Sequence, residues 1–210
     1  RMVMNVGNTP ATSGQSEYHI QTAPGVASNK GDPMSFNDGG ATAGEAGMVQ
    51  DASFTVTDDG GNGGTAWTTA NSALLLGVFN GAFFIDATGK PTFANNIVAG
   101  QTTSADYNTG SDDITAFIID NPNQEYVVKA DAALAQTLLG VNPMQGFNTN
   151  NYTATANLSG QSITTLDVGS AATTAMFTAV RSANDPENRD KTVAGSNWVV
   201  VAAPASALFN

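Results

Sequence analysis

The stretch from Ile114 to Asp131 constrains the fold of this 210-residue chain most strongly, because a dense apolar run leads directly into a turn sequence. The run ITAFII is β-branched and aromatic and too dense for a one-sided helix, so it predicts a strand buried on both faces. The following DNPN favours a turn, because Asp and Asn bond to nearby backbone and proline lacks an N–H. The alternation in EYVVKA then predicts a half-exposed partner strand. Together these features predict a β-hairpin with Phe117, Ile119 and Val128 in the core.

A second hairpin is predicted around Asn80-Gly81. The apolar run ALLLGVF precedes this pair and AFFID follows it. Asn-Gly between apolar strands is a strong hairpin signal, because a type I′ turn needs positive φ at both central positions. The residues from Ala87 to Pro91 close this unit, and a polar connection from Asn95 to Asp113 follows, with a weak strand around Ile97 and Val98.

Short strands and turns also occupy the rest of the chain. Glu17 to Thr22 alternates and predicts one strand with His19 on its polar face, and Gly31-Asp32-Pro33 predicts a turn into a strand at 34–36. Ala132 to Leu139 is the only run of good helix formers and predicts at most two helical turns. Further strands are predicted at Ala52 to Thr57, Tyr152 to Leu158, Ser162 to Val168, Ala175 to Val180 and Asn197 to Ala203.

Strands at this spacing, with turn residues between them and almost no helix, predict an all-β fold. We expect an antiparallel β-barrel or β-sandwich with extended loops, an N-terminal arm and at most one short helix. Residues 1–72 are predicted to form the N-terminal arm and a loop-rich β region. Residues 73–210 are predicted to form the main barrel or sandwich domain, within one compact unit.

The charge of the chain excludes several classes of partner. Eighteen acidic residues against seven basic ones give a net charge of −11, and no segment clusters its Lys or Arg. Nucleic acid is therefore not an expected partner, because phosphate binding needs several cations. No apolar run approaches the length of a membrane span, so no membrane partner is expected. Cysteine is absent, which excludes disulfides, thiolate metal sites and Cys nucleophiles.

The sequence offers little for catalysis. His19 is the only histidine, and its place on the polar face of a short strand favours a solvated residue over an acid or base. The carboxylate pairs Asp58-Asp59, Asp112-Asp113 and Asp185 with Glu187 lie in loops, where two carboxyls rarely acquire the different pKa values that acid/base work requires. A calcium site from Asp58 to Asn62 does not match the EF-hand spacing. We therefore predict no catalytic, cofactor-binding or metal-binding residue and no enzymatic activity, with a carboxylate-based glycosidase as a minor alternative.

Several short motifs occur in the same order as in the capsid decoration, or cement, proteins of tailed bacteriophages, particularly those of marine and cyanobacterial phages. The chain resembles that family over most of its length. The segments that carry the resemblance are Arg1 to Thr12, Tyr18-His19-Ile20, Gly31-Asp32-Pro33, Leu76 to Gly81 with Phe84 and Asp86, Ala116 to Asp131, Gly160 with Ser162, Leu166 and Asp167, and Asn184 to Asn188.

This resemblance implies a structural virion protein on the outer capsid surface that reinforces contacts between subunits of the major capsid protein. The alternative is a phage tail or fibre adhesin that binds host-surface glycans. A homo-oligomer is expected, with a trimer favoured and a dimer as the other option. The segments Arg1 to Gly14 and Ala203 to Asn210 are predicted to be arms that become ordered on a neighbour, because the first lacks alternation and the second carries Leu208 and Phe209 with no strand to place them in a core. The candidate capsid or oligomer contacts are therefore Arg1, Met2, Val3, Met4, Leu208 and Phe209.

Overall fold

The computed structural model describes part of the chain, and the architecture below refers to that part. The described residues are 3–4, 14–20, 27–36, 49–51, 75–104, 114–121, 124–139, 146–147, 149–150, 160–170, 177–184 and 197–202.

The described residues form an all-β structure, as the sequence predicts. Single 3-10 turns occur at Gln136–Leu138 and Val168–Ser170. The strands are β1 (Val3–Met4), β2 (Ser16–Ile20), β3 (Ser28–Asn29), β4 (Pro33–Phe36), β5 (Val49–Asp51), β6 (Leu75–Ile85), β7 (Pro91–Ala94), β8 (Asn96–Ile97), β9 (Ile114–Ile119), β10 (Glu125–Lys129), β11 (Gly146–Phe147), β12 (Thr149–Asn150), β13 (Thr165–Leu166), β14 (Phe177–Ser182) and β15 (Trp198–Ala202).

Two main antiparallel sheets organise these strands. The five-stranded sheet has the order β1-β10-β15-β14-β11. The six-stranded sheet has the order β2-β9-β6-β4-β5, and β7 pairs with the remaining half of the β6 edge. Its outermost strands β2 and β5 lie close to each other, so this sheet curls strongly. The short ladders β3-β8 and β12-β13 complete the described part of the fold. Strands from before and after residue 73 therefore share sheets.

The predicted hairpin from Ile114 to Asp131 is wrong, although both of its strands exist. Strand β9 pairs with β2 and β6 in the six-stranded sheet, whereas β10 pairs with β1 and β15 in the five-stranded sheet. The chain therefore turns a corner between two sheets. A bond from the Gln124 N–H to the Asn121 carbonyl (3.0 Å) belongs to this turn. The Tyr126 hydroxyl then donates to the Ile119 carbonyl (2.8 Å) and ties the two strands across the corner.

The predicted hairpin at Asn80-Gly81 is also wrong, because β6 runs straight through this pair as one eleven-residue strand. Phe79 lies opposite Ile118 and Gly81 lies opposite Phe117, so Asn80 is the extra residue of a β-bulge. Gly81 has a φ of 137°, which explains why glycine occupies the bulge. The true hairpin joins β6 to β7 through residues 86–90, where the Asp86 N–H bonds to the Lys90 carbonyl (3.0 Å).

The other strand predictions agree with the structure to different degrees. Strand β2 is confirmed, with Ile20 buried and His19 exposed. The turn at residues 31–33 and the following strand β4 are confirmed as well. The run Ala132 to Leu139, for which at most two helical turns are predicted, contains one short 3-10 turn at Gln136–Leu138. The predicted strand at Ser162 to Val168 shortens to β13, while Ala52 to Thr57 and Tyr152 to Leu158 lie outside the described residues.

Two hydrophobic cores hold the sheets together. The first, which we call the inter-sheet core, lies between the two main sheets and consists of Leu75, Val78, Ile119, Tyr126, Val128, Ala130, Leu134, Leu166, Phe177, Ala179, Val199 and Val201. The second, which we call the inner core, lies against the opposite face of the six-stranded sheet and consists of Ile20, Met34, Leu76, Phe79, Ala82, Phe84, Ile97, Ile114, Ala116 and Ile118.

Gly77 lies where the backbone of β6 comes very close to that of β9. A Cβ atom at this position would be 2.2 Å from the Ile119 carbonyl oxygen. We expect Gly77→Ala to lower the free energy of unfolding by about 1–3 kcal/mol or more, because the backbone of β9 must shift. Gly169→Ala is the matched control, since its Cβ would meet only the Asp167 side chain at 3.2 Å. Chemical denaturation of both variants checks this, and equal losses would contradict it.

The placement of Phe117 corrects the predicted core. Ile119 and Val128 are in the inter-sheet core as predicted, but Phe117 is only half-buried on β9. Phe177 is fully buried and its ring meets Tyr126 edge-on, with the ring centroids 6.2 Å apart. We expect Phe177→Ala to cost about 3–5 kcal/mol of stability through lost burial and a residual cavity. Phe117→Ala should cost clearly less, and urea unfolding midpoints would reveal the reverse order if the assignment is wrong.

Candidate functional site

The contact residues predicted from the sequence lie at the edge of the fold or outside its described part. Val3 and Met4 form β1, whose backbone pairs with Val127 and Tyr126 of β10. This part of the predicted arm therefore lies on its own chain, as the outermost strand of the five-stranded sheet. Arg1, Met2, Leu208 and Phe209 lie outside the described residues, so their roles stay predictions.

The groups considered for catalysis or metal binding are mostly outside the described part as well. The pairs Asp58-Asp59, Asp112-Asp113 and Asp185 with Glu187 fall there, and so does the loop from Asp58 to Asn62. Among the residues that the structure describes, no three His, Asp or Glu side chains come together in a way that could hold a metal ion. The described part also contains no helix that could span a membrane.

One carboxylate that the sequence treats as a turn residue is instead deeply buried. Asp32 is 2% exposed. Its Oδ2 accepts bonds from the backbone N–H and the side-chain amide of Asn29, at 2.7 and 3.3 Å. Its Oδ1 accepts a bond from the Thr164 hydroxyl at 3.0 Å, and the Ser162 side chain also bonds to the carboxyl. Both oxygens are thus occupied by donors from two distant segments of the chain.

Main-chain bonds around this carboxylate connect the same segments. The Lys30 N–H lies within bonding distance of the carbonyls of Asn95 (2.8 Å) and Gly160 (3.1 Å), and the Ser162 N–H donates to the Lys30 carbonyl (2.9 Å). The Gly31 N–H donates to the Phe79 carbonyl, and the Phe79 N–H returns a bond to the Asp32 carbonyl. We call this set the Asp32 junction. It fixes the turn at residues 29–32 against β6 and against the segment from Gly160 to Thr164.

The chemistry of the Asp32 junction is that of an anchor. Burial raises the pKa of Asp32 above its ordinary value of 3.8, while the bonds from Ser162, Asn29 and Thr164 act in the opposite direction. Both carboxyl oxygens accept hydrogen bonds from neighbouring segments, so the Asp32 side chain stabilises the fold. The sequence predicts a turn at Gly31-Asp32-Pro33, but a turn signal does not reveal that the carboxyl is buried.

A second polar contact connects strand β2 to the corner between the sheets. The Tyr18 hydroxyl donates to Asp120 Oδ2 at 2.7 Å. Burial, followed by the bond to Asp120, raises the pKa of Tyr18 to about 12. Burial also raises the pKa of Tyr126, with the nearby Asp120 carboxylate as a second cause. Both hydroxyls therefore stay protonated and serve as hydrogen-bond donors.

Among the residues that the structure describes, the most exposed aromatic side chain lies on the face of the six-stranded sheet that points away from the inner core. Phe93 on β7 is 76% exposed, and its ring lies 4.7 Å (centroid to centroid) from that of Phe83. The register places Phe93 opposite Phe83, and Phe83 opposite Thr115. Phe117 stands on the same face, because it is two residues along β9 from Thr115. We call this set the outer aromatic face.

The sequence does not reveal the outer aromatic face, because it predicts no strand at residues 91–94. The sequence predicts a turn at residues 87–91 and a polar connection from Asn95 to Asp113, and residues 92–94 between them carry no prediction. A short alternation, with Phe93 between Thr92 and Ala94, was the available signal. It is weak in a four-residue strand, and it becomes meaningful only when β6 is known to pair with it.

Comparison with known proteins adds no assignment. No protein-family model matches this chain, and no curated protein or solved structure matches it significantly. The geometry above and the resemblance described from the sequence therefore carry the functional argument.

The buried carboxylate leads to a pH-dependent prediction. A raised folded-state pKa means that the contribution of Asp32 to stability is full below the unfolded pKa and is lost as pH rises through the folded value. The unfolding free energy of the wild type minus that of Asp32→Asn should therefore fall as pH rises above 3.8. Thermal or denaturant unfolding across a pH series measures this difference.

Asp86→Asn is the matched control, because it removes the same charge from a carboxyl whose pKa is shifted in the opposite direction. The bonds from Thr88 and from the Lys90 N–H lower the pKa of Asp86 in the exposed β6-β7 turn. The contribution of Asp86 to stability is present above the pKa that it has in the unfolded chain, and it is lost as pH falls through its lower pKa in the folded protein. The wild-type minus variant difference should therefore rise with pH. The same slope for both variants would contradict the assignment of Asp32.

Proposed function

We propose that this chain is a capsid decoration protein of a tailed bacteriophage. In this role it binds the outer surface of the capsid and reinforces contacts between subunits of the major capsid protein. The proposal rests on the resemblance of several ordered motifs to that family, and on where these motifs lie in the fold. It assigns the protein a structural role in the virion, with the major capsid protein as its partner.

The observation that carries the proposal is that the described motifs contact one another in a closed circuit. Tyr18 pairs with Ala116 and bonds to Asp120, which joins the motif at residues 18–20 to the stretch 116–131. Gly77 lies directly against the Ile119 carbonyl, which joins that stretch to the motif in β6. These contacts connect segments that are far apart in the sequence.

The circuit closes through the Asp32 junction. Gly31 and Asp32 exchange backbone bonds with Phe79, and the Asp32 carboxylate accepts bonds from Ser162 and Thr164. The segment after Thr164 returns to the stretch 116–131, because the Asp131 N–H donates to the Leu166 carbonyl at 3.0 Å.

The Asp131 carboxylate adds a second bond at this point, from the Val168 N–H at 3.0 Å. Motifs that specify a shared framework are expected to lie where distant segments make contact, because these contacts define the fold. The circuit therefore supports a common framework with the decoration proteins.

The position of β1 supports the proposed use of the N-terminal segment. Val3 and Met4 form the outermost strand of the five-stranded sheet, and no other described strand pairs with its outer side. An outer strand can accept a further strand from a partner through main-chain bonds. We propose Arg1, Met2, Val3, Met4, Leu208 and Phe209 as the contacts with the capsid or with neighbouring copies.

The number of copies per virion tests the proposed function. A protein that reinforces contacts across a capsid must repeat with the capsid lattice, so we expect hundreds of copies per particle. Quantitative mass spectrometry of purified virions measures this number, with the major capsid protein and a tail protein counted in the same sample as internal references. Cryo-electron microscopy of the same particles should show density for the chain on the outer capsid surface.

A count of a dozen copies or fewer would contradict capsid decoration. Density at the tail or its fibres, together with binding on a glycan array, would instead support the adhesin alternative. Both outcomes are read from the native particle, so they do not depend on how well the isolated protein associates with itself.

A further inference from the structure

The five-stranded sheet covers only part of one face of the six-stranded sheet. On this face, Val78 and Ile119 enter the inter-sheet core. Farther along the same strands, the side chains of Phe83 and Phe117 are half-buried and Phe93 is exposed. The outer aromatic face is thus a continuation of a surface that packs against a sheet elsewhere in the same molecule.

The register defines the composition of this uncovered area. One row contains Phe93, Phe83, Thr115 and His19, which lie opposite each other on successive strands. The neighbouring rows contain Ile85 with Pro91, and Phe117 with Glu17. Glu17 and His19 stand at the β2 margin, so the residues that the structure describes at the centre of the face carry no charge. By contrast, the outward side of the five-stranded sheet carries an ion pair between Arg181 and Glu125 at 2.7 Å.

The two phenylalanine rings at the centre are already arranged for contact. The ring centroids of Phe93 and Phe83 are 4.7 Å apart with an interplanar angle of 44°. Such a pair restricts the exposed ring before any partner binds, which reduces the entropy lost on association. Pro91 begins β7 on the outer edge and has no N–H, so it disfavours strand addition at this edge. Contact through the face is therefore favoured over contact through the edge.

We propose that the outer aromatic face binds the same face of a second copy of this chain around a twofold axis. Each copy carries a net charge of −11, so repulsion opposes a contact between two copies least where the facing surfaces carry no charged side chains. A partner with a basic surface would instead favour the acidic parts of the chain. An uncharged face made of Phe, Thr and Ile is self-complementary, as a twofold contact requires, and resembles the packing of the two sheets within one chain.

Sedimentation velocity over a concentration series tests this proposal on the full chain. We expect the wild type to form a dimer, and Phe93→Ser to raise the dimer dissociation constant at least tenfold, because a central aromatic group contributes most to such contacts. Ile163→Ser is the matched control, since Ile163 is also an exposed apolar residue, at 43% exposure, but is not on this face. Ile163→Ser should change the dissociation constant by no more than about twofold. A tenfold change, by comparison, corresponds to about 1.4 kcal/mol.

A second variant and a salt series complete the test. Phe93→Lys keeps an edge strand compatible with folding and should abolish the dimer, and circular dichroism melting reports whether each variant is folded. Raising the salt concentration should strengthen dimerisation of the wild type, because it screens the repulsion between two acidic copies. A monomeric wild type, a cyclic trimer, or equal effects of the Phe93 and Ile163 variants would overturn the proposal.

This proposal does not depend on capsid binding, since it is measured with the isolated protein. A monomeric wild type whose Phe93 variants lose binding to capsid shells or to sugars would assign the face to a different partner and would overturn the twofold contact. A dimer that depends on Phe93 would support the contact whatever the number of copies in the virion.

Discussion

The pairing of β6 with β9 is the interaction on which the two cores depend. Strand β6 supplies side chains to the inter-sheet core and to the inner core, and the bulge at Asn80 decides which residues enter each one. Without an extra residue, Phe79 and Ala82 would point to opposite faces, because side chains alternate along a strand. With the bulge, both enter the inner core together with Phe84. The close approach at Gly77 keeps the two strands near enough for this register.

The Asp32 junction shows how a cysteine-free chain with many loops can hold distant segments together. Burying a carboxylate costs free energy, and that cost is offset only when the oxygens receive good hydrogen bonds. Here the donors come from Asn29 nearby and from Ser162 and Thr164 far along the chain. Removing a donor would leave part of the carboxylate unpaired. The junction therefore penalises any arrangement in which the segment at residues 160–164 leaves the turn.

One face of the six-stranded sheet is buried against the five-stranded sheet in one part and exposed at the surface in another. Its covered part packs against the five-stranded sheet through Val78 and Ile119, and its uncovered part presents Phe93 and Phe83. A surface of this kind is suited to protein contacts, because apolar and uncharged groups lose little on leaving water. The proposed capsid contacts and the proposed twofold contact involve different parts of the chain, namely the segments at the ends and the outer aromatic face. One protein could therefore carry both contacts at once.

The sequence alone determined the local conformation of much of the described chain. Alternation predicted strands β2 and β10, because side-chain burial on a pleated strand follows a period of two, and the dense apolar run predicted β9. The all-β class followed from the spacing of these strands and their turns. The tertiary structure decided which strands pair, since the residues at Asn80-Gly81 suit a bulge as well as a hairpin turn. It alone also decided that the residues after Ile119 cross between sheets, that Asp32 is buried and that Phe93 is exposed, because these depend on contacts between segments far apart in the sequence.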